Sequence, residues 1–379
     1  MIYLDNNATT AIADEALAAM LADWRLGPAN PSSQHAAGRA ARLRLEDATD
    51  SILEMLSATN HRFLITSGGT EANNWVISLL GKGSGPIIVS QIEHPSILQA
   101  AARAEACNQT VLYLPVNSAG VVDLNTLAQW LSHDPPPRLV SVMMANNETG
   151  VVQPIRDIAR LCNDVGVPFH TDASQALGKL PVSIDELDVT AATVAAHKFH
   201  GPIGVGGLVL KKLAPIFPLL VGGAQQLDYR GGTEPTALVV GMQVAMSVAL
   251  NALSAKTTAM MLRRQRLEQA LLRCIPDVVI HGCAVERLPQ TTCFSVPMID
   301  RQALFLRLDF AGVACSTGSA CASGSSEPSH VLQAMGVEHE SLSSAIRLSA
   351  CSATTDSDID TAVDCIVSGV NKLRSCQDV

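Results

Sequence analysis

A lysine that ends one apolar run and an aspartate that ends another are the residues in this 379-residue chain best suited to chemistry. Lys198 follows Ala191-Ala-Thr-Val-Ala-Ala-His197 and opens the glycine-rich turn Phe199-His-Gly-Pro-Ile-Gly-Val-Gly-Gly207. Asp172 closes Val165-Gly-Val-Pro-Phe-His-Thr. At strand ends such a pair could serve pyridoxal phosphate. The amine bonds the aldehyde of the cofactor, and the carboxylate keeps the pyridine nitrogen protonated so that the ring withdraws electrons. Taken alone, the lysine reads equally well as a surface residue after a buried strand.

Other segments add matching chemistry. Ser67-Gly-Gly-Thr70 follows a strand-like run and opens a helix, where backbone N–H groups can cradle a phosphate. His94 lies just past another apolar run, where an imidazole could stack on a flat ring and move protons; the alternative is a loop histidine satisfied locally. Gln175, one helical turn after Asp172, could donate to a phenolic oxygen. Cys321 sits in Ala314-Cys-Ser-Thr-Gly-Ser-Ala-Cys-Ala-Ser-Gly-Ser-Ser-Glu-Pro-Ser329, a stretch too small and polar for a core strand. It is expected to be a mobile loop presenting a thiol that can enter and leave a site. The other reading is an incidental loop cysteine. Arg347 is the lone charge in the apolar strand Ala345-Ile-Arg-Leu-Ser and could grip a carboxylate through two parallel hydrogen bonds. A buried structural ion pair would explain it as well.

These residues must be positioned by an alternating frame. Short β-branched runs at Phe63, Pro86, Val111, Leu139, Val167, Val189 and Gly206 alternate with helix-length stretches such as Ile97–Cys107, Leu124–Ser132 and Ile155–Val165. That alternation predicts an α/β fold with a mainly parallel seven-stranded sheet covered by helices, with ligands gathered at the carboxyl ends of strands. The apolar stretch from Ala237 to Leu253 predicts one long buried helix, and a charged helix over Met260–Ile275 follows it. The remainder, with the strand Thr291–Val296 and helices at Arg301–Phe310, Pro328–Ala334 and Asp356–Arg374, predicts a smaller α+β domain. The expected division is a large domain over residues 15–254 and a small one from residues 1–14 with 255–379.

Composition narrows the function. The hydrophobic fraction of 47% supplies a core, and the net charge of −9 argues against a nucleic-acid or anionic-membrane surface. No apolar stretch reads as a membrane span, since Gln243, Ser247 and Asn251 interrupt the best candidate. Met1-Ile-Tyr-Leu-Asp-Asn-Asn7 has neither the basic start nor the apolar length of a signal peptide, so a cytoplasmic location is expected. The ten cysteines contain no Cys-x-x-Cys pair, which argues against a structural zinc site, and no resident metal is expected.

Nine motifs in order resemble one family from end to end: Tyr3-Leu-Asp-Asn-Asn-Ala-Thr-Thr10, Asn30-Pro-Ser-Ser-Gln-His-Ala-Ala-Gly-Arg39, Thr66-Ser-Gly-Gly-Thr-Glu-Ala-Asn73, Glu93-His-Pro95, Asn146-Asn-Glu-Thr-Gly-Val-Val-Gln153, His170-Thr-Asp-Ala-Ser-Gln175, His197-Lys-Phe-His-Gly-Pro202, Arg230-Gly-Gly-Thr-Glu234 and Ser316-Thr-Gly-Ser-Ala-Cys321. The chain is similar to cysteine desulfurases of the nitrogen-fixation and iron–sulfur-assembly group, fold-type I relatives of the class V aminotransferases. The resemblance implies that Lys198 carries pyridoxal phosphate covalently, that Asp172 meets its ring nitrogen and Gln175 its hydroxyl, and that His94 stacks on the ring as an acid–base helper. It implies a phosphate site from Gly69, Thr70 and His197, joined by Thr233 of a partner subunit in a homodimer. Asn147 borders cofactor and substrate, Arg347 holds the substrate carboxylate, and Cys321 takes the sulfur of L-cysteine. The sulfur would pass to an acceptor protein such as an iron–sulfur scaffold, with a transient iron–sulfur contact at Cys321 the one metal encounter foreseen. A selenocysteine lyase, a class V aminotransferase or a non-catalytic sulfur carrier are the alternatives.

The chain departs from the family pattern at three positions. Ala195 stands where a phosphate-binding serine is usual, Ile203 where a lysine is usual, and Leu227 where an arginine is expected. Weaker cofactor retention is expected from the lost hydroxyl and positive charge.

Overall fold

The structure, a computed structural model, describes residues 1–81, 83–318 and 328–377. The chain begins with β1 (Ile2–Tyr3), which belongs to a separate two-stranded pairing. The apolar runs that follow form β2 (His61–Thr66), β3 (Ile87–Ser90), β4 (Val111–Leu114), β5 (Leu139–Ser141), β6 (Phe169–Asp172), β7 (Ala191–Ala195) and β8 (Gly206–Lys211). They assemble in the order β2-β8-β7-β6-β5-β3-β4, as the expected seven-stranded sheet. Only β8 runs against the rest, antiparallel to both β2 and β7. The sheet is therefore mainly parallel.

Both faces of this sheet are buried, which is why its strands read as continuous apolar runs rather than alternating ones. Along β3, Ile88 joins one core cluster with Ile52, Val140, Phe169 and Met242, while Ile87 and Val89 join another with Trp75, Ile77, Leu208 and Leu210. Successive side chains point to opposite faces, so each strand feeds both layers of helices.

A third cluster organises the remaining chain. Leu4, Leu271, Phe294, Leu308, Ile346 and Ile366 pack around a three-stranded antiparallel sheet of β9 (Val279–Ile280), β10 (Thr291–Ser295) and β12 (Ile346–Ser349). Beside it, β1 pairs in parallel with β11 (Val313–Ala314). The N-terminal segment is thus tied to elements more than three hundred residues away, and it runs on from there to the carboxyl edge of the large sheet.

The two helices expected next both form, with the boundary between them displaced. The apolar stretch forms a helix over Thr236–Leu250, and a second helix occupies Leu253–Cys274, starting well before Met260. Asn251 is extended and Ala252 is left-handed at φ 54°, which bends the pair by 71°. The second helix opens with Leu253-Ser-Ala-Lys-Thr-Thr258, which is exposed or half-buried, so its first two turns lacked the apolar signal that marked the helix before it. No single described helix is long and apolar enough to cross a membrane.

Candidate active site

Five strand ends converge on one cavity of about 260 Å³, lined among others by Gly69, Thr70, Asn73, His94, Asn147, Asp172, Gln175, Ala195, His197 and Lys198. Each lies at or beyond the carboxyl end of a parallel strand, where the termini of the sheet open outward. A larger cavity of about 540 Å³ borders β2 near Arg62, Leu227 and Tyr229. None of the candidate catalytic residues lines it, and the chemistry places the site in the smaller one.

Lys198 lies in a single 3₁₀ turn after β7. Its Nζ donates to the carbonyl oxygens of Asn7 at 2.7 Å and Ala8 at 2.9 Å. The residue expected to bond an aldehyde is thus held by the N-terminal segment. His197 beside it accepts or donates at Nδ1 with Thr9 Oγ1 at 3.1 Å. Burial, reinforced by Lys198 and Lys179, pushes the His197 pKa down to about 4, so it is a neutral imidazole at physiological pH.

Asp172 ends β6 with its carboxylate almost fully buried. Oδ1 accepts from the Ser174 backbone N–H at 2.9 Å, and Oδ2 accepts from Asn73 Nδ2 at 2.7 Å. Two donors fix its rotamer. Asn73 also donates to Ser96 Oγ at 2.8 Å. Ser96 in turn meets His94 Nδ1 through its hydroxyl at 2.8 Å and its backbone N–H at 3.1 Å. Because Nδ1 accepts from a backbone N–H, the neutral His94 ring carries its proton on Nε2. Burial lowers the His94 pKa, opposed by the nearby Asp172 charge. His94 caps the helix Pro95–Ala106 and belongs to the cavity wall, not to a solvent loop.

The anion end of the cavity is the start of the helix Gly69–Leu79. Gly68 adopts φ 153° and ψ −178°, a conformation essentially confined to glycine. A Cβ on Gly69 would come within 3.3 Å of Ser174 Oγ and 3.5 Å of the Ala195 methyl, so a side chain would fill the space left for a ligand. Glu71, in the first turn, accepts from the Ser67 backbone N–H at 2.7 Å and pairs with Arg230 at 2.9 Å. That pair fastens the loop bearing Thr233 to the helix. Thr233 itself is exposed and does not line this cavity in its own chain.

Arg347 projects from β12, 2% exposed. Its Nη2 meets Asp5 Oδ1 at 2.6 Å and its Nη1 donates to the Asn147 carbonyl at 3.1 Å, while the buried Nε has no hydrogen-bond partner among the described residues. The guanidinium is therefore both ion-paired and adjacent to Asn147, at the border of the cavity. Cys321 lies outside the described residues. The three departures from the family pattern separate cleanly: Ala195 lines the cavity, whereas Ile203 and Leu227 are 74% and 82% exposed.

Sequence reasoning assigned no role to Asn7, Asn73, Ser96 or Lys179. Asn7 is the hub. Its Nδ2 donates to Thr291 Oγ1 and the Asn147 carbonyl, its Oδ1 accepts from Gln290, and its carbonyl receives both Lys198 and Gln175. Asn7 and Asn73 both fall inside quoted motifs, but an asparagine in a motif carries no mark of its partner.

The residues fit pyridoxal phosphate. A carboxylate, an amine, a helix start opened by two glycines and a neutral imidazole surround one cavity, as the donor set of that molecule requires.

Comparison with known proteins agrees in kind. The family model for aminotransferase class-V matches residues 2–362. The chain is 41% identical over 379 residues to a cysteine desulfurase of Cereibacter sphaeroides, covering 99% of this chain and 97% of that one. It is 37% identical to the cysteine desulfurase NifS of Azotobacter vinelandii, over 99% of this chain and 94% of the relative. Among solved structures, a NifS-like protein of Rickettsia africae superposes with a TM-score of 0.89 at 31% identity, covering 98% of this chain and 99% of its own.

Proposed function

Because this chain belongs to the aminotransferase class-V family, we propose that it is a pyridoxal phosphate-dependent cysteine desulfurase, which converts L-cysteine to L-alanine and leaves the sulfur as a persulfide on Cys321. The observation that carries the reading is the convergence of Lys198, Asp172 and His94 on one cavity that is also lined by the helix start at Gly69 and Thr70.

Bound there, pyridoxal phosphate supplies an electron sink that weakens the bonds at the Cα of an amino acid. The residues of the chain do the rest. Lys198 would hold the aldehyde of the cofactor, and its free amine donates to the Asn7 and Ala8 carbonyls. That amine would be the base that takes the substrate Cα proton. Asp172, held by Ser174 and Asn73, keeps a positive charge at the ring nitrogen. His94 offers an Nε2 proton from the cavity wall. Gly69, Thr70 and His197 receive the phosphate, with Thr233 supplied by the partner subunit of a homodimer. Asn147 and Arg347 receive the substrate carboxylate. The Cys321 thiolate then attacks the substrate sulfur, the carbon–sulfur bond breaks with its electron pair returning to carbon, and protonation of that carbon yields alanine. The persulfide is delivered to an acceptor protein in the cytoplasm, such as an iron–sulfur scaffold.

The test supplies cofactor-loaded protein with L-cysteine and a reductant, and quantifies alanine and sulfide for the wild type and Cys321→Ala. Equal amounts of both, lost in the variant, are expected. Pyruvate, or turnover that survives the substitution, overturns the persulfide route and points to amino transfer or a lyase.

A further inference from the structure

We propose that Lys179 is a positioning residue that acts through Gln175, fixing which atom of that side-chain amide faces the cofactor cavity. The inference rests on the cofactor reading above and deepens it. Gln175 lines the cavity and is 5% exposed; its Nε2 donates to the Asn7 carbonyl at 2.9 Å, and its Oε1 accepts from Lys179 Nζ at 3.2 Å. A glutamine amide is nearly symmetric in shape, so only its partners decide its orientation. Turned over, it would set its NH2 against the ammonium of Lys179 and its oxygen against the Asn7 carbonyl. Both bonds would be lost together. Held as it is, Nε2 has one hydrogen left to donate, which suits an acceptor such as the phenolic oxygen of the cofactor.

The surroundings of Lys179 sharpen the point. The residue is 6% exposed and lines a second cavity of about 290 Å³, together with Lys198, Lys256 and His200. No aspartate or glutamate lines that cavity. Burial, and then the charge of Lys198, press the Lys179 pKa down to about 7. His197 and His200 feel the Lys179 charge in turn. A buried lysine without a carboxylate costs stability that a methionine would not. A role as hydrogen-bond donor accounts for it, since ammonium and neutral amine both carry an N–H and the bond to Gln175 survives the titration.

The experiment is a double-mutant cycle on the full-length protein, reading the Kd for pyridoxal phosphate by fluorescence and the pH midpoint of the visible absorbance of the bound cofactor. Lys179→Met should weaken binding about 5–10-fold, the worth of roughly one hydrogen bond, and displace the absorbance midpoint. In a Gln175→Leu background the same step should change neither quantity, because its target is gone. Lys179→Gln serves in the same cycle if Lys179→Met does not accumulate. A wild-type Kd and midpoint in the single variant, or an effect that persists in full without Gln175, overturns the proposal. Wild-type protein that fails to bind pyridoxal phosphate at all overturns the cofactor reading instead.

Discussion

Ala195→Ser restores the hydroxyl usual at the phosphate end of the cavity and should tighten cofactor binding. The Ala195 methyl belongs to the cavity wall, 3.5 Å from where a Cβ on Gly69 would stand, and the residue is 2% exposed. A hydroxyl there can reach the anion cradled by the start of the helix Gly69–Leu79. A hydrogen bond to a charged group contributes about 1.5–3 kcal/mol. Removing the hydroxyl from cavity water offsets about 1 kcal/mol of that. The net gain of about 0.5–2 kcal/mol corresponds to a Kd for pyridoxal phosphate about 2–30-fold lower. Equilibrium dialysis with both proteins, alongside thermal unfolding of the cofactor-free forms, measures it. An unchanged or weaker Kd, in a variant whose cofactor-free form melts like the wild type, would refute the reasoning.

Three further outcomes are expected. Lys198→Ala should prevent borohydride from fixing pyridoxal phosphate to the protein, as read by mass spectrometry, and a stoichiometric adduct elsewhere would contradict the assignment. Asp5→Ala removes the partner of the 2%-exposed Arg347, so it should destabilise the fold by about 3 kcal/mol in urea unfolding; a loss near zero would show that the pair is not structurally coupled. Glu93 is fully buried with its pKa raised to about 8 by burial, so its carboxyl is protonated in the fold but ionised in the unfolded chain between about pH 4.5 and 8. A raised carboxyl pKa makes folding most favourable at low pH. Wild-type stability should therefore fall with rising pH across that window by up to about 1.4 kcal/mol per unit relative to Glu93→Gln, and parallel pH profiles of the two proteins would exclude it.

Local order was legible in the sequence because local order is what short-range physics writes there. Apolar runs buried on both faces announced the strands of a parallel sheet, and chemistry clustered at their ends announced the cavity. Thus Lys198, Asp172, His94 and the Ser67–Thr70 turn were found from their position after a strand. The break between the apolar and the charged helix was expected between Leu253 and Met260 but falls at Asn251 and Ala252, because only the backbone dihedrals there mark the stop. Arg347 was visible as a lone charge in an apolar strand, but neither of its two readings could be chosen from its neighbours.

The tertiary structure decided what meets across long stretches of chain. Asp5 reaches Arg347 over 342 positions, and the Asn7 carbonyl reaches Lys198 over 191. No periodicity encodes such pairs. They exist because β1 is pinned beside β11, so the next few residues are drawn over the carboxyl edge of the large sheet. The sequence by itself determined which groups could do the chemistry, since residue type and strand-end placement are local properties. Their partners, and hence their orientation and proton affinities, were set by packing, because burial and hydrogen bonding depend on which distant segments the fold brings into contact.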